Sequence, residues 1–136
     1  MEIFKRHLNQ SILEMISKFI IYGRLDGLNE YTKSNRSNKY KGNKTKQDNE
    51  FLVSLYIRQA KLKKVDKYPI ALKITWYEKN KRRDVDNITF ATKFIQDALV
   101  KCGVIENDSQ RYINKIIHDV KVDKDNPRIE VEIIET

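Results

Sequence analysis

The stretch PIALKITWY, residues 69–77, constrains the fold more than any other part of the sequence. Its large apolar side chains occupy every second position, at Ile70, Leu72, Ile74 and Trp76. Because successive side chains of a β-strand point to opposite faces, this alternation predicts a strand with one buried face. We expect Trp76 to lie in the core. Such a strand requires partner strands and a second layer that covers its apolar face.

Three other segments repeat apolar side chains with the period of an amphipathic helix, at residues 2–17, 48–62 and 87–102. Gly103 follows the third segment and is a typical helix stop. Cys102 lies on the apolar stripe of that segment, so we expect a small buried side chain rather than a nucleophile.

Residues 19–23, 111–122 and 128–134 predict further strands. The turn-forming stretch DKDNP separates the last two, which predicts a C-terminal antiparallel hairpin. The length of 136 residues suits one compact domain. We therefore predict a small α+β domain over residues 18–136, with a mixed sheet, flanking helices and a C-terminal antiparallel pair. An N-terminal amphipathic helix or extension at 1–17 would precede it as a packing or dimer-forming element.

The charge of the chain favours a polyanionic partner. The formal net charge is +8, which suits nucleic acid or an acidic membrane surface. The basic side chains concentrate in a Ser- and Asn-rich stretch at 31–47, which predicts a mobile loop. Its six cations are candidate DNA-binding residues: Lys33, Arg36, Lys39, Lys41, Lys44 and Lys46. Tyr31 and Tyr40 add rings on which bases could stack. The alternative is a solvated tether without a binding role.

Some functional classes are excluded by the residue counts. A single cysteine rules out an intrachain disulfide and a zinc–thiolate cluster, and two histidines are too few for a His-rich metal site. The N-terminus lacks the unbroken apolar run of a secretory signal. No run of about 18 apolar residues predicts a membrane span. A reducing, intracellular setting is expected.

The hexapeptide RRDVDN, Arg82 to Asn87, is the clearest candidate for chemistry. Side chains two apart project to the same face of extended backbone, so Asp84 and Asp86 would repel unless a cation lies between them. Mg²⁺ takes oxygen ligands and keeps several waters, so the pair is a plausible half-site. A structural alternative remains open, in which Asp86 caps the following helix and Asp84 pairs with Arg82 or Arg83.

Asp108, in the acidic turn that follows Gly103, is a candidate third carboxylate. A helix of sixteen residues spans about 24 Å, whereas four or five residues of return chain cover at most about 18 Å. Spacing alone therefore does not bring Asp108 back to Asp86. A shorter or bent helix, or a second subunit, would close the gap.

The run RRDVDNITFATKFIQDALVKCGVIENDSQ, residues 82–110, resembles the signature region of the RusA family of Holliday-junction resolvases. The likeness consists of basic residues, D-x-D-N, an amphipathic helix, DAL, a glycine, and an Asp-x-Gln turn. Residues 23–36 and 125–133 also resemble segments of phage-type members, so the likeness covers nearly all the chain beyond residue 18.

The resemblance implies a homodimeric, Mg²⁺-dependent endonuclease that resolves four-way DNA junctions by paired nicks, with Mn²⁺ as a possible substitute. It assigns the three essential acids to Asp84, Asp86 and Asp108. The family's helix lysine falls on Lys93 when the sequences are aligned at DAL, and on Phe90 when they are aligned at D-x-D. Arg82 and Arg83 would contact DNA. No small-molecule cofactor and no membrane are implied, and a phage or prophage protein would act in the cytoplasm of a bacterial host.

Two other hypotheses remain. In one, the chain is a basic nucleic-acid-binding module or a branched-DNA accessory protein, and its acids only cap a helix. In the other, a nuclease uses Glu130 and Glu132 of the last strand instead. These two side chains alternate with Ile129, Val131 and Ile133, so a solvated strand face also explains them.

Overall fold

The computed structural model describes residues 16–135, and these form one layer of helices on one face of a mixed sheet. In chain order the elements are β1 (Ile16–Tyr22), α1 (Leu28–Ser37), α2 (Lys39–Ala60), β2 (Ile70–Glu78), α3 (Val85–Thr89), α4 (Thr92–Lys101), β3 (Ile113–Val122) and β4 (Arg128–Glu135). The predicted α+β class is confirmed. The predicted helix at 2–17 lies outside the described residues except for Ile16 and Ser17, which belong to β1.

The sheet has the order β1-β4-β2-β3 within the described chain. β4 is antiparallel to both of its neighbours, whereas β2 and β3 are parallel. The predicted hairpin between the last two strands is therefore wrong, because β2 lies between β3 and β4. The turn-forming stretch DKDNP is real, but it carries the chain past β2 rather than into an adjacent strand.

The alternation that predicted β2 also determines where the core lies. Ile70, Leu72 and Ile74 are fully buried and Trp76 is 1% exposed, so the prediction for Trp76 is confirmed. Apolar side chains of α2 and α4 cover this face, chiefly Val53, Ile57, Phe94, Ile95, Ala98 and Leu99. Cys102 ends α4 and is only half-buried, packed against the core. Gly103 then reverses the chain at φ 75°, as expected of a helix stop.

The opposite face of the sheet is open and charged. Glu130 accepts from Lys18 at 2.7 Å and from Arg128 at 2.8 Å. The Arg128 guanidinium also stacks on the Tyr77 ring at 3.8 Å. Hydrogen bonding from Lys18 is the main cause that lowers the pKa of Glu130. Glu130 is thus bound by two basic side chains on the sheet surface, which makes it a poorer candidate for a catalytic acid.

The predicted basic loop is helical instead. Its residues form α1 and the first turns of α2, joined at Asn38, whose side chain accepts from the Lys41 N–H at 2.8 Å and caps α2. The Thr45 hydroxyl donates to Ser34 at 2.9 Å and ties the two helices together. The basic side chains are therefore presented on a helical pair rather than on a mobile loop.

Candidate active site

The hexapeptide RRDVDN lies between the end of β2 and the start of α3, at one end of the sheet. Asp84 is the residue before α3, with φ −69° and ψ 152°, and Asp86 lies in the first helical turn. The backbone therefore changes from extended to helical between the two acids. The expectation that both carboxylates project from extended backbone is wrong, and so is the alternative that Asp86 is the capping residue.

Both aspartates are exposed and nearly free of protein partners. Asp84 makes no side-chain capping bond, and no ion pair joins it to any residue between 16 and 135. Asp86 accepts one hydrogen bond, from the N–H of Asn87 at 3.0 Å. Val85 between them is 58% exposed. Each carboxylate thus keeps most of its lone pairs available to a ligand from solvent.

Arg83 has a different environment from these acids. Its guanidinium donates to both oxygens of Glu78, at 2.8 and 2.9 Å, and to the Leu25 carbonyl at 3.3 Å. Only 13% of the Arg83 side chain and 10% of the Glu78 side chain are exposed. A two-point pair of this kind fixes geometry, so Arg83 holds the β1–α1 connection against the end of β2.

Asn87 fixes the start of α1 against α3. It is 7% exposed, and its side-chain oxygen accepts from the Asn29 N–H at 2.9 Å. A Cβ at Gly27 would lie 2.5 Å from the Asn87 carbonyl oxygen, so only glycine permits this close approach. Asn87 therefore braces a neighbouring helix and holds the hexapeptide in place.

Lys93, in the first turn of α4, contacts Asp108 in the turn that follows this helix. The Lys93 ammonium lies 3.2 Å from Asp97 and 3.5 Å from Asp108. Hydrogen bonding to Asp97 is the largest cause that raises the pKa of Lys93, and Asp108 adds to it. The side chain of Asn107 accepts from the N–H groups of Asp108 and Ser109 at 2.7 and 3.1 Å and shapes the turn. Lys93 is thus a charged group held beside Asp108.

The alternative lysine position, Phe90, is part of the packing. Its ring lies 5.3 Å from Tyr31 and 5.8 Å from Phe94, centroid to centroid. The predicted helix over 87–102 is broken at residues 90 and 91, between α3 and α4. This break could not be read from the apolar period, which continues through it.

A group of three metal ligands is absent from the described chain. Between residues 16 and 135, no three or more Asp, Glu, His or Cys side chains are arranged to hold a metal ion. The donor chemistry of Asp84 and Asp86 suits a hard divalent cation, and Mg²⁺ commonly uses one or two carboxylates together with substrate phosphates and water. Two carboxylates of one chain therefore fit the protein's share of such a site.

A cavity of about 460 Å³ is lined in part by residues of the hexapeptide, and four of its lining side chains are basic. Arg82 and Arg83 line it together with Arg24 and Lys79. Sequence patterns did not single out Arg24 and Lys79, because they lie far apart in the chain and belong to no motif. Arg24 pairs with Glu30 at 2.8 Å, whereas no acid within residues 16–135 pairs with Arg82 or Lys79. Unpaired cations around a cavity are suited to phosphate.

The predicted DNA-binding cations fall into two groups. Lys44 pairs with Asp48 at 2.9 Å, and Lys46 lies within 4 Å of Glu50 and Asp97. The other four are exposed and have no ion-pair partner in the described chain: Lys33, Arg36, Lys39 and Lys41. Tyr40 is 77% exposed, whereas Tyr31 packs on Phe90. The free cations therefore lie on α1 and the first turn of α2.

Comparison with known proteins gives the family. The family model described as endodeoxyribonuclease RusA matches residues 26–134, which is most of the chain and includes Asp84, Asp86 and Asp108. The search of curated proteins gives no match. The chain belongs to the RusA endodeoxyribonuclease family. It is accordingly a crossover junction endodeoxyribonuclease, an enzyme that resolves Holliday junctions. No helix within residues 16–135 is long and apolar enough to cross a membrane.

Proposed function

We propose that this enzyme cuts four-way DNA junctions with Mg²⁺ held by Asp84 and Asp86. The observation that carries the proposal is the pair of exposed carboxylates at the start of α3, which lack ion-pair partners in the described chain. They directly follow in sequence Arg82 and Arg83, which line a cavity. Exposed carboxylates without ion-pair partners keep their oxygen lone pairs available, and these are the ligands that a hard divalent cation takes.

Asp84 and Asp86 would hold the cation, which would supply a Lewis acid and an activated water for phosphodiester hydrolysis. Mn²⁺ offers the same coordination by oxygen ligands and is expected to substitute. Asp108 is the proposed third acid of the site. Within one chain its carboxylate is engaged by Lys93, so it would join the site through Lys93, through bound DNA or from a second subunit.

Lys93 and the arginines are the proposed partners of the scissile phosphate. Lys93 stays protonated at neutral pH, since its acidic neighbours raise its pKa, and it would stabilise negative charge that develops on the phosphate. Arg82 would hold the DNA backbone at the cavity. The Arg83 guanidinium is bound to Glu78. Its proposed contribution to DNA binding is therefore indirect, because it holds the β1–α1 connection against the end of β2.

The free cations of α1 and α2 are the proposed contacts to the junction arms. Lys33 and Arg36 line one hollow on the outer face of α1, and Lys39 and Lys41 follow at the start of α2. Phosphate contacts of this kind release counterions, so binding should weaken steeply with salt.

We propose that the enzyme acts as a homodimer. A junction has approximate two-fold symmetry and its resolution needs two nicks, so a symmetric dimer presents one site to each of two strands. The DNA substrate would place the enzyme in the cytoplasm of a bacterial host.

Titration of a labelled four-way junction tests this function. The protein is added with Mg²⁺, with Mn²⁺ or with a chelator, and each sample is run on a native and a denaturing gel. We expect binding in all three conditions and paired nicks only with metal. Binding without nicks under every condition would identify a branched-DNA binding protein instead, and equal nicking with chelator would exclude the metal.

A further inference from the structure

The two edge strands of the sheet are protected to different degrees. β1 is covered by α2, and its Phe19 and Ile21 are 2% and 0% exposed. On the same side of the sheet, β3 is uncovered beyond its first residue. Register with β2 places Ile116 beside Leu72 and Val120 beside Trp76, yet Ile116 and Val120 are 36% and 37% exposed.

The outer edge of β3 has no partner strand within the described chain. The strand is ten residues long, and within residues 16–135 its only strand partner is β2. Natural proteins usually blunt such an edge with proline, a bulge, a covering element or charged side chains. β3 contains no proline, and its register shift lies at its first residue. Its charges, Lys115, Asp119 and Lys121, disfavour an arbitrary partner strand. A strand that places opposite charges against them could still pair with this edge.

The charges on β3 indicate which strand fits. Lys115, Ile117 and Asp119 share the open face of the sheet, and neither charge has an ion-pair partner within the described chain. An antiparallel second copy of β3 presents the same three side chains in reverse order. Each lysine can then lie opposite an aspartate of the other copy, with isoleucine opposite isoleucine. We propose that β3 pairs antiparallel with β3 of a second copy of this chain, on a two-fold axis at Ile117.

In this register Lys115 lies opposite the partner's Asp119, and Ile117 lies opposite its own copy. The registers on either side lose this match. An axis at residue 116 places Lys115 opposite the partner's Ile117 and Asp119 opposite the partner's Ile113, so neither charge meets its opposite. An axis at residue 118 places Lys115 opposite the partner's Lys121, and an axis at residue 119 places Asp119 opposite its own copy. Like charges directly opposite destabilise a strand pair, whereas opposite charges stabilise it. The charge pattern therefore selects the axis at Ile117.

The proposed interface adjoins the candidate active site. A hollow of about 310 Å³ is lined by Val120 and Val122 at the end of β3 and by Val85, which separates the two aspartates. In the register centred on Ile117, Val122 lies opposite the partner's Tyr112. The second copy would thus cover exposed apolar side chains beside Asp84 and Asp86 and extend the sheet to eight strands.

A charge swap tests the register. This inference rests on the proposed homodimer. Its tests need neither DNA nor metal, so its failure can be distinguished from failure of the nuclease proposal.

Sedimentation equilibrium should show a dimer for the unmodified protein. Asp119→Lys should raise the dimer dissociation constant about tenfold or more, because two attractive pairs become repulsive. The double variant Lys115→Asp/Asp119→Lys should restore the original constant.

Both side chains are exposed, and circular dichroism controls for folding of each variant. A monomeric unmodified protein, an Asp119→Lys variant that dimerises normally, or a double variant that stays dissociated would each overturn the proposal.

Disulfide cross-linking tests the axis independently. In a Cys102→Ala background, Ile117→Cys should give a covalent dimer on oxidation. Residues opposite each other in an antiparallel pair lie about 4.5–5.5 Å apart at Cα, which suits a disulfide. Lys121→Cys is the matched control, since its two copies would lie eight residues apart along the strand, about 26 Å. No cross-link at position 117, or equal cross-linking at both positions, would contradict the axis.

Discussion

Arg83 and Asp84 are neighbours in the sequence but occupy opposite electrostatic environments. The Arg83 side chain is 13% exposed and bound to both oxygens of Glu78. Asp84 is exposed, and within residues 16–135 it has no ion-pair partner. A buried guanidinium requires compensation because its desolvation is costly. An exposed carboxylate does not, so Asp84 can stay unpaired and available to a ligand from solvent.

The difference separates charges that build the protein from charges that are available to a ligand. Glu78, Asp26 and Asn87 are engaged in contacts that join β1, α1 and α2 to the end of β2. Asp84, Asp86 and Arg82 remain open to solvent on the framework that these contacts hold. Four predictions test this division.

The largest effect is expected at the unpaired acids. Asp84→Asn and Asp86→Asn should each lower the single-turnover rate of junction cleavage about a thousandfold, since a carboxylate that holds a catalytic metal contributes several kcal/mol. Junction binding and the thermal midpoint should change little. Asp66→Asn, which alters an exposed acid remote from the hexapeptide, is the control. Cleavage at the normal rate in both aspartate variants would refute their role.

The paired arginine should affect stability instead. Arg83→Ala should lower the free energy of unfolding by about 3 kcal/mol or more, because Glu78 is left buried without its partner. Arg82→Ala is the matched control and should stay within about 0.5 kcal/mol of the unmodified protein, while it weakens junction binding. Urea unfolding measures both, and similar losses for the two variants would remove the distinction.

Basic side chains without an ion-pair partner should contribute more to DNA binding than those that are paired. The double variant Lys33→Ala/Arg36→Ala should reduce the slope of log binding constant against log salt by about one for each DNA phosphate that is no longer neutralised. Lys44→Ala should change the slope less, because Asp48 already neutralises Lys44 in part. Binding isotherms at several salt concentrations decide this, and a larger change for Lys44→Ala would contradict the assignment.

The smallest effect concerns His118, which accepts a hydrogen bond from the Trp76 indole at 3.0 Å. The residue is exposed overall, but its ring packs against Trp76, and this partial desolvation lowers the pKa of His118 from its ordinary value of 6.5. The folded state therefore favours the neutral ring, and stability is fully present above about pH 6.5 and declines as the pH falls through that value. Urea midpoints at pH 7.5 and 5.5, at one protein concentration, should differ more for the unmodified protein than for His118→Gln. An equal or larger difference in the variant would contradict this linkage.

Local patterns in the sequence predicted most of the strands. The alternation of β2 and its buried Trp76 follow directly from residue order. The pairing of β3 with β2 could not be predicted from residue order, because parallel pairing joins segments that are distant in the chain. The apolar period of residues 88–102 likewise gave no sign of the break at residues 90–91, where Phe90 turns towards Tyr31.

The helical form of residues 31–47 was missed for a similar reason. Ser, Asn and Gly in this stretch are typical of loops, yet Asn38 caps α2 and Asn49 pairs with Asp26 on the preceding connection. Tertiary contacts of this kind override local propensity. At the site, the candidate acids Asp84, Asp86 and Asp108 came from the sequence, whereas the Arg83–Glu78 pair and the position of Lys93 beside Asp108 needed the fold.

Paramagnetic broadening by Mn²⁺ tests most directly whether Asp84 and Asp86 hold the metal. Backbone amide NMR signals of the unmodified protein and of the Asp84→Asn/Asp86→Asn variant are followed as substoichiometric Mn²⁺ is added. We predict that the amides of residues 84–88 broaden first, and that this broadening disappears in the variant. Broadening centred on Glu130 and Glu132, or unchanged at residues 84–88 in the variant, would contradict the assignment.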